Sequence, residues 1–412
     1  MRAHWILLLA PCSASLAQEP AEEPPAFDQE LADALTQGSA WLRLNYRHEN
    51  VDQDGFAQEA NASTLRSVLG YRSGVWRNFS GTLEFEDVSV VGGGERYNSL
   101  SNGNTDFPVV PDPKGGEVNQ AYVDYVGWED ARLRLGRQQI VLGNQRFVSN
   151  VGWRQNHQTF DGASLTYSGL EDWELFYAYV GNVNRVLGED HPIGDESVDA
   201  HLIHADRKLA DWGTLTAYAY LLDFSTSQAL STNTLGLRFA GGSSLSDSVD
   251  ALYELEYADQ SDTGDNPNEV DSDYLHASVG VGWEGFTARL GHEALGGSGQ
   301  PGDKFSTPFA LLHGFNGWAD LFLNTPDTGL LDTYATLQWR EGDWNLQAWF
   351  HDFEADAGGA SYGSELDLLA TYALTPRLTL GAKYASYNSD GFATDTDKLW
   401  GWVTYSLALG GD

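Results

Sequence analysis

The chain has 412 residues, with 23 Lys and Arg against 59 Asp and Glu, one Cys and one Met. A formal charge of −36 excludes a general nucleic-acid binder, which needs a basic face to displace counterions from phosphate, and 42% hydrophobic residues exclude a disordered acidic tail. The lone Cys12 excludes a disulfide scaffold and cysteine-ligated metal centres, while 45 Gly beside 14 Trp, 19 Tyr and 18 Phe suit an aromatic-rich β wall better than an enzyme.

The chain opens with the pattern of a secretory signal peptide. Met1 and Arg2 give a positive start, Trp5 to Ala10 an apolar core, and Ser15-Leu16-Ala17 a cleavage site after Ala17. Residues 18–37, with their Glu-Pro clusters, read as a flexible tail. No later stretch approaches the roughly twenty apolar residues of a membrane helix. A β-barrel shows lipid only every second residue, which is consistent with a mean hydropathy of −0.36.

From residue 38 to 412 the hydrophobic period is two. In the first run Ala40, Leu42, Leu44 and Tyr46 share one face, and Trp41, Arg43, Asn45 and Arg47 the other. Leu83 and Phe85 then oppose Glu84 and Glu86, and Ala121, Val123 and Tyr125 oppose Gln120, Tyr122 and Asp124. Further on, Leu275, Ala277, Val279 and Val281 oppose His276 and Ser278, and Leu366 and Leu368 oppose Glu365 and Asp367. Aromatic residues such as Trp128, Trp283, Trp339 and Trp344 lie near the ends of runs, as in the interfacial girdles of membrane barrels. Short connectors such as Glu284-Gly285 and Thr375-Pro376 alternate with long polar ones such as Val91–Glu117 and Gly296–Asn316. The expected fold is therefore all-β, a single transmembrane antiparallel barrel with short periplasmic turns and long extracellular loops. Counting runs gives about eighteen to nineteen, and since bacterial single-chain barrels take even numbers the expected count is eighteen strands, about 22 residues for each strand with its connector. Gly317–Asn324 reads either as loop or as a short strand before Leu330–Trp339.

Charge is unevenly spread. Residues 38–160 carry 12 basic and 14 acidic residues, whereas 161–412 carry 10 and 39. The alternation turns Arg43, Arg47, Arg66, Arg72, Arg132 and Arg134 into the lumen. Guanidinium forks match carboxylates bidentately, so a ladder of them would pass an anionic chain by weak multi-site binding. The same arginines could instead form a structural ion-pair ladder with Glu84, Glu86 and Asp124, and both readings stand. Likewise Asp259, Asp262, Asp265, Glu269, Asp271 and Asp273 form either a solvated loop or a calcium site, though without calcium-hand spacing. Nucleophile-elbow, zinc-protease and phosphate-loop motifs are missing from the sequence, so neither enzymatic activity nor a cofactor or metal is expected.

The densest motif is Gly136–Gly162, GRQQIVLGNQRFVSNVGWRQNHQTFDG, and a second is Gly317–Asp332, GWADLFLNTPDTGLLD. Both resemble the alginate-export family of outer-membrane barrels. The resemblance implies an eighteen-stranded channel with an arginine-rich constriction, integral to the outer membrane of a Gram-negative cell, through which a polyuronate leaves the periplasm. Carried onto this chain, the motif positions are Arg137, Arg146, Arg154 and Asp161. Gly136 would break the alternation and let Arg137 turn inward, and Asn150 to His157 is polar enough to fold into the lumen. Implied partners are outer-membrane lipid, an anionic polysaccharide or a small anionic solute, and periplasmic export components. An uptake porin for small solutes is the alternative reading. The second half sets Glu254, Glu256, Glu293, Asp332, Glu365 and Asp367 on lumenal faces.

Overall fold

The computed structural model describes residues 27–92 and 94–410. The expected signal peptide, residues 1–17, lies outside them. After a short helix α1 (Phe27–Thr36) come β1 (Ser39–Gln53), β2 (Ala60–Arg72), β3 (Phe79–Val90), β4 (Gly115–Trp128), β5 (Ala131–Gln138) and β6 (Thr159–Tyr167). Next are β7 (Trp173–Asn184), β8 (Asp195–Lys208), β9 (Thr214–Phe224), β10 (Thr232–Ser246), β11 (Val249–Asp262) and β12 (Asp271–Trp283). The series ends with β13 (Phe286–Leu295), β14 (Leu330–Glu341), β15 (Trp344–Glu354), β16 (Ser361–Thr375), β17 (Leu378–Ser389) and β18 (Thr396–Leu409).

Each strand pairs antiparallel with the next, and β1 closes on β18 from Ala40↔Leu409 to Gln53↔Thr396. Closure satisfies every edge, which is what lets a sheet cross a bilayer. Gly317–Asn324 is loop, not strand.

One local feature differs from the sequence expectation and a second agrees with it. The reading of 18–37 as a flexible tail is corrected for its second half, because Phe27–Thr36 is an α-helix. The Glu-Pro clusters end at Pro25, and beyond them Phe27, Leu31 and Leu35 recur at helical spacing among helix-forming Glu, Ala and Leu. Gly136 does leave the ordinary strand conformation, with φ +122°. A Cβ there would lie 2.3 Å from the Ala121 carbonyl oxygen, so only glycine fits.

The outer wall is apolar, with Leu69, Leu83, Val123, Leu135, Leu237, Val279 and Leu290 exposed toward lipid. Aromatic pairs mark the short-turn end: Tyr125 with Trp128 at 5.1 Å, Trp283 with Phe286 at 5.4 Å and Trp344 with Tyr372 at 4.6 Å. The packed core is inside. Phe147 of the 139–158 loop touches Tyr218, Tyr274 and Phe305, and Phe322 of the 296–329 loop touches Phe353, Tyr362 and Phe392. These two inward loops thus use lumenal aromatics as their hydrophobic seat.

Candidate functional site: a two-loop constriction

The third loop (139–158) and the seventh (296–329) meet inside the barrel. Val148 and Phe309 form a parallel bridge, Ser149 N donates to Phe309 O at 2.8 Å, and Leu311 N donates to Gln145 O at 3.0 Å. Gln158 Nε2 adds a bond to Phe309 O at 3.3 Å. Buried backbone groups must be paired somewhere, and here the loops pair with each other. They form one body across the lumen.

Two clusters built around buried arginines help tie that body to the wall. At the first, Arg47 of β1 donates to Trp153 O at 2.5 Å and pairs with Asp112 of the second loop. Arg154 reaches Asp320 of the seventh loop at 2.5 Å and Glu49 at 3.5 Å, and Lys398 joins Asp320 at 3.0 Å. Burial disfavours the Asp112 charge, but Arg47 and Arg154 outweigh it and hold the carboxyl below its usual range. His313 donates Nδ1–H to Asp320 at 2.7 Å, and its Nε2 accepts from Lys383 Nζ at 2.7 Å. An ammonium facing Nε2 requires the neutral imidazole. Burial, outweighing Asp320 and aided by Lys383, likewise pushes the His313 pKa well below 6.5. Burial disfavours the Asp320 charge, but His313, which donates to it, and then Lys398 and Arg154 hold its carboxyl well below the usual range. Lys383 lies 3.6 Å from the Trp318 ring centre and 4.2 Å from that of Trp153, so one cation joins an indole from each loop.

In the second cluster, Arg146 donates to Glu293 of β13 at 2.8 Å and to Asn316 at 3.0 Å, under the Phe315 ring. Asn316 bonds both Glu293 and Asp332, and Asp332 takes His351 Nδ1 at 2.9 Å. A cavity of about 240 Å³ opens beside this chain, between Phe315 and Trp318 of the loop and Tyr334 and Trp349 of the wall.

The other sequence-predicted residues divide into paired and free. Arg66 bonds Glu86 at 2.6 and 2.9 Å and also faces His157, whose Nδ1 accepts at 3.0 Å. Burial and the charges of Arg66 and Arg43 hold that imidazole well below its ordinary pKa. Arg72 and Arg134 converge on one carboxylate, Asp124, at 3.2 and 2.7 Å. Arg137 and Asp161 are opposed across β5 and β6 and bond at 2.8 and 2.9 Å, both partly exposed and away from the buried loop seats. Among the described residues, Arg43 and Arg132 have no carboxylate partner. Of the carboxylates named as neutralisers, Glu86 and Asp124 do pair with arginine. Glu84 instead accepts from Trp41, Asn119 and Gln120.

Sequence reasoning missed Asp112, His313, Asp320, Lys383 and Lys398. Only Asp320, inside the Gly317–Asp332 motif, carried a local signal. Among the described residues, one cluster has metal-ligand character: Glu254, Glu256 and His276, with donor atoms within 4.8 Å of one another. Arg238 already serves it, at 2.7 Å from Glu254 and 3.8 Å from Glu256. The acidic loop around residue 265 forms no such cluster.

The fold has close parallels among solved barrels. Acinetobacter baumannii OccAB2 matches with a TM-score of 0.72 at 16% identity, over 92% of this chain and 99% of that one. Pseudomonas aeruginosa OpdK, solved with vanillate, matches at 0.70 and 14%, over 91% and 100%. Pseudomonas aeruginosa OccK3 (OpdO) matches at 0.69 and 16%, over 93% and 99%. No curated protein matches the sequence. Residues 41–296, more than half of the chain, match the family described as alginate export. Taken with the closed eighteen-stranded wall, this match means that the chain belongs to the alginate export family and is an integral β-barrel channel of the outer membrane.

Proposed function

We propose that the barrel conducts an anionic solute, a uronate polysaccharide such as alginate, along an arginine-bearing wall. The observation that carries this reading is the guanidinium surplus near the short-turn end of β1–β5. Arg72 and Arg134 share Asp124, while Arg43 and Arg132 are unpaired among the described residues. A guanidinium without a resident carboxylate offers its fork to one that passes, and several weak sites in series let a chain enter and leave. Arg47, Arg66, Arg146 and Arg154 act differently: their buried pairs seat the loops that narrow the lumen. Arg137 and Asp161 form a separate, partly exposed pair across β5 and β6. The polymer would meet Arg43 and Arg132 before the constriction, and periplasmic export components would deliver it to the short-turn rim.

A small-solute uptake porin is the second reading. It is favoured by the vanillate bound in OpdK, a barrel of the same fold, and by the small cavity beside Trp318 and Trp349. Reconstituted barrel in a planar bilayer separates the two. Block of ion current by oligouronates, weakened several-fold in the Arg43→Ala, Arg132→Ala double variant, supports the polymer reading. Block by monomeric carboxylates alone supports the porin.

A further inference from the structure

Helix α1 has an unusual position. It folds back at the short-turn end and packs on the β2–β3 turn. Gly74 N donates to Ala34 O at 2.8 Å, Tyr71 OH bonds Leu35 O, and Arg77 Nε meets Glu30 at 2.9 Å. Phe27 stands edge-on to Trp76 at 5.1 Å, with the Arg77 guanidinium 5.3 Å from the Phe27 ring centre. Ten residues are too few for a helix to persist alone in water, so these contacts hold it.

Only Ala34 is buried against the barrel. Phe27, Leu31 and Leu35, at i, i+4 and i+8, form a stripe that is 55, 36 and 52% exposed, and Asp28, Gln29 and Asp33 lie off it. Between the helix and the wall runs an apolar groove of about 570 Å³, where Leu31 and Leu35 face Phe79, Leu83, Val123 and Leu135. Those last four residues belong to the lipid-facing surface, each exposed on the outer side of β3, β4 or β5. The groove is therefore continuous with the bilayer interface. A helix whose apolar stripe borders a lipid-facing wall rests in the interface plane by the apolar area it buries there.

We infer that α1 is an interfacial helix and that its groove holds one acyl chain of an inner-leaflet phospholipid. The helix would set the depth of the barrel at its periplasmic rim, with Phe27, Leu31 and Leu35 in the hydrocarbon boundary and Asp28 and Asp33 toward water. This inference does not depend on what passes through the lumen.

The test uses the full chain with Cys12→Ser, so that one introduced thiol carries a bimane fluorophore. Leu31→Cys and Asp28→Cys are compared in phosphatidylethanolamine–phosphatidylglycerol vesicles. The expected result is several-fold stronger quenching at position 31 by chain-brominated lipid than by aqueous iodide, with the reverse at position 28. Iodide quenching at both positions would place the stripe in water and overturn the inference. Insensitivity to both quenchers at position 31, with cross-linking between copies of Leu31→Cys, would show a second copy over the groove and overturn it as well.

Discussion

The indole of Trp153 lies flat on the imidazole of His313, with ring centres 4.4 Å apart and planes 5° apart. One ring comes from the third loop and the other from the seventh, so this stack is a direct joint between the halves of the constriction. Trp153 also lies under Arg47 at 4.9 Å and touches Trp400 and Trp402 of β18. Stacking contributes about 0.5–1.5 kcal/mol beyond burial, and each desolvated cation–π contact about 2 kcal/mol. Trp153→Ala is expected to loosen the joint, giving larger single-channel conductance with more frequent fluctuation. Wild-type current in that variant would place the joint elsewhere.

Asp320 is the carboxylate on which the seventh loop's seat converges. It receives Arg154, Lys398 and His313 at once, all buried. Removing its charge leaves Lys398 without a carboxylate and Arg154 with Glu49 and Asp112 alone, at 3.5 and 3.9 Å, and breaking such a buried pair costs about 3–5 kcal/mol. Asp320→Asn should therefore free the seventh loop, detected as rapid protease cleavage within 296–329 in reconstituted protein. The barrel wall, held by backbone pairing, should stay intact. Resistance equal to wild type would mean that the backbone pairing between the loops suffices.

Acid should loosen the same seat. His157 and His313 are both kept neutral in the fold, by burial first and then by nearby cations. A depressed histidine costs folding nothing above its unfolded pKa of roughly 6.5. Below that value the unfolded segment binds a proton that the folded one refuses. Stability is then lost by at most about 1.4 kcal/mol per pH unit per group. Loop protection should fall between pH 6.5 and 5, and His313→Gln, which keeps a donor and an acceptor, should shrink the fall. A flat profile in the wild type would contradict the assignment of two neutral imidazoles.

Arginines of the two classes should respond differently to truncation. Arg66→Ala leaves Glu86 buried and unpaired and is expected to destabilise the β2–β3 region by about 3–5 kcal/mol. Arg43→Ala and Arg132→Ala should leave stability unchanged and lower anion preference, an effect partly masked at high salt. Stability is read from the heat-induced mobility shift of the barrel in detergent gels, and preference from reversal potentials. Equal effects of the three variants on both readouts would erase the division.

The wall was legible in the sequence because a period of two with apolar residues on one face has one cheap solution in a bilayer. The strand count and the lumenal positions of Arg47 and Arg66 follow from it, while the inward run of the third loop was legible in the polarity of Asn150 to His157. Two things were hidden. Helix α1 was masked by the Pro-rich segment before it, although its 27/31/35 spacing was there to be counted. The loop seats were hidden for a stronger reason. Arg154 and Asp320 are 166 residues apart, and Arg146 and Glu293 are 147 apart. Nothing local to either residue specifies such a partner. Pairing of that kind is decided by which loops fold inward, so the ladder of arginines read from β1 to β5 separated into seats and free forks only in three dimensions.

The most direct test of the central claim is the reversal potential of the single channel in a tenfold salt gradient. The account predicts anion preference that weakens when Arg43 and Arg132 are both replaced by Ala. Cation preference in the wild-type channel would contradict it, and would shift the conduction path to the acidic wall of Glu254, Glu365 and Asp367.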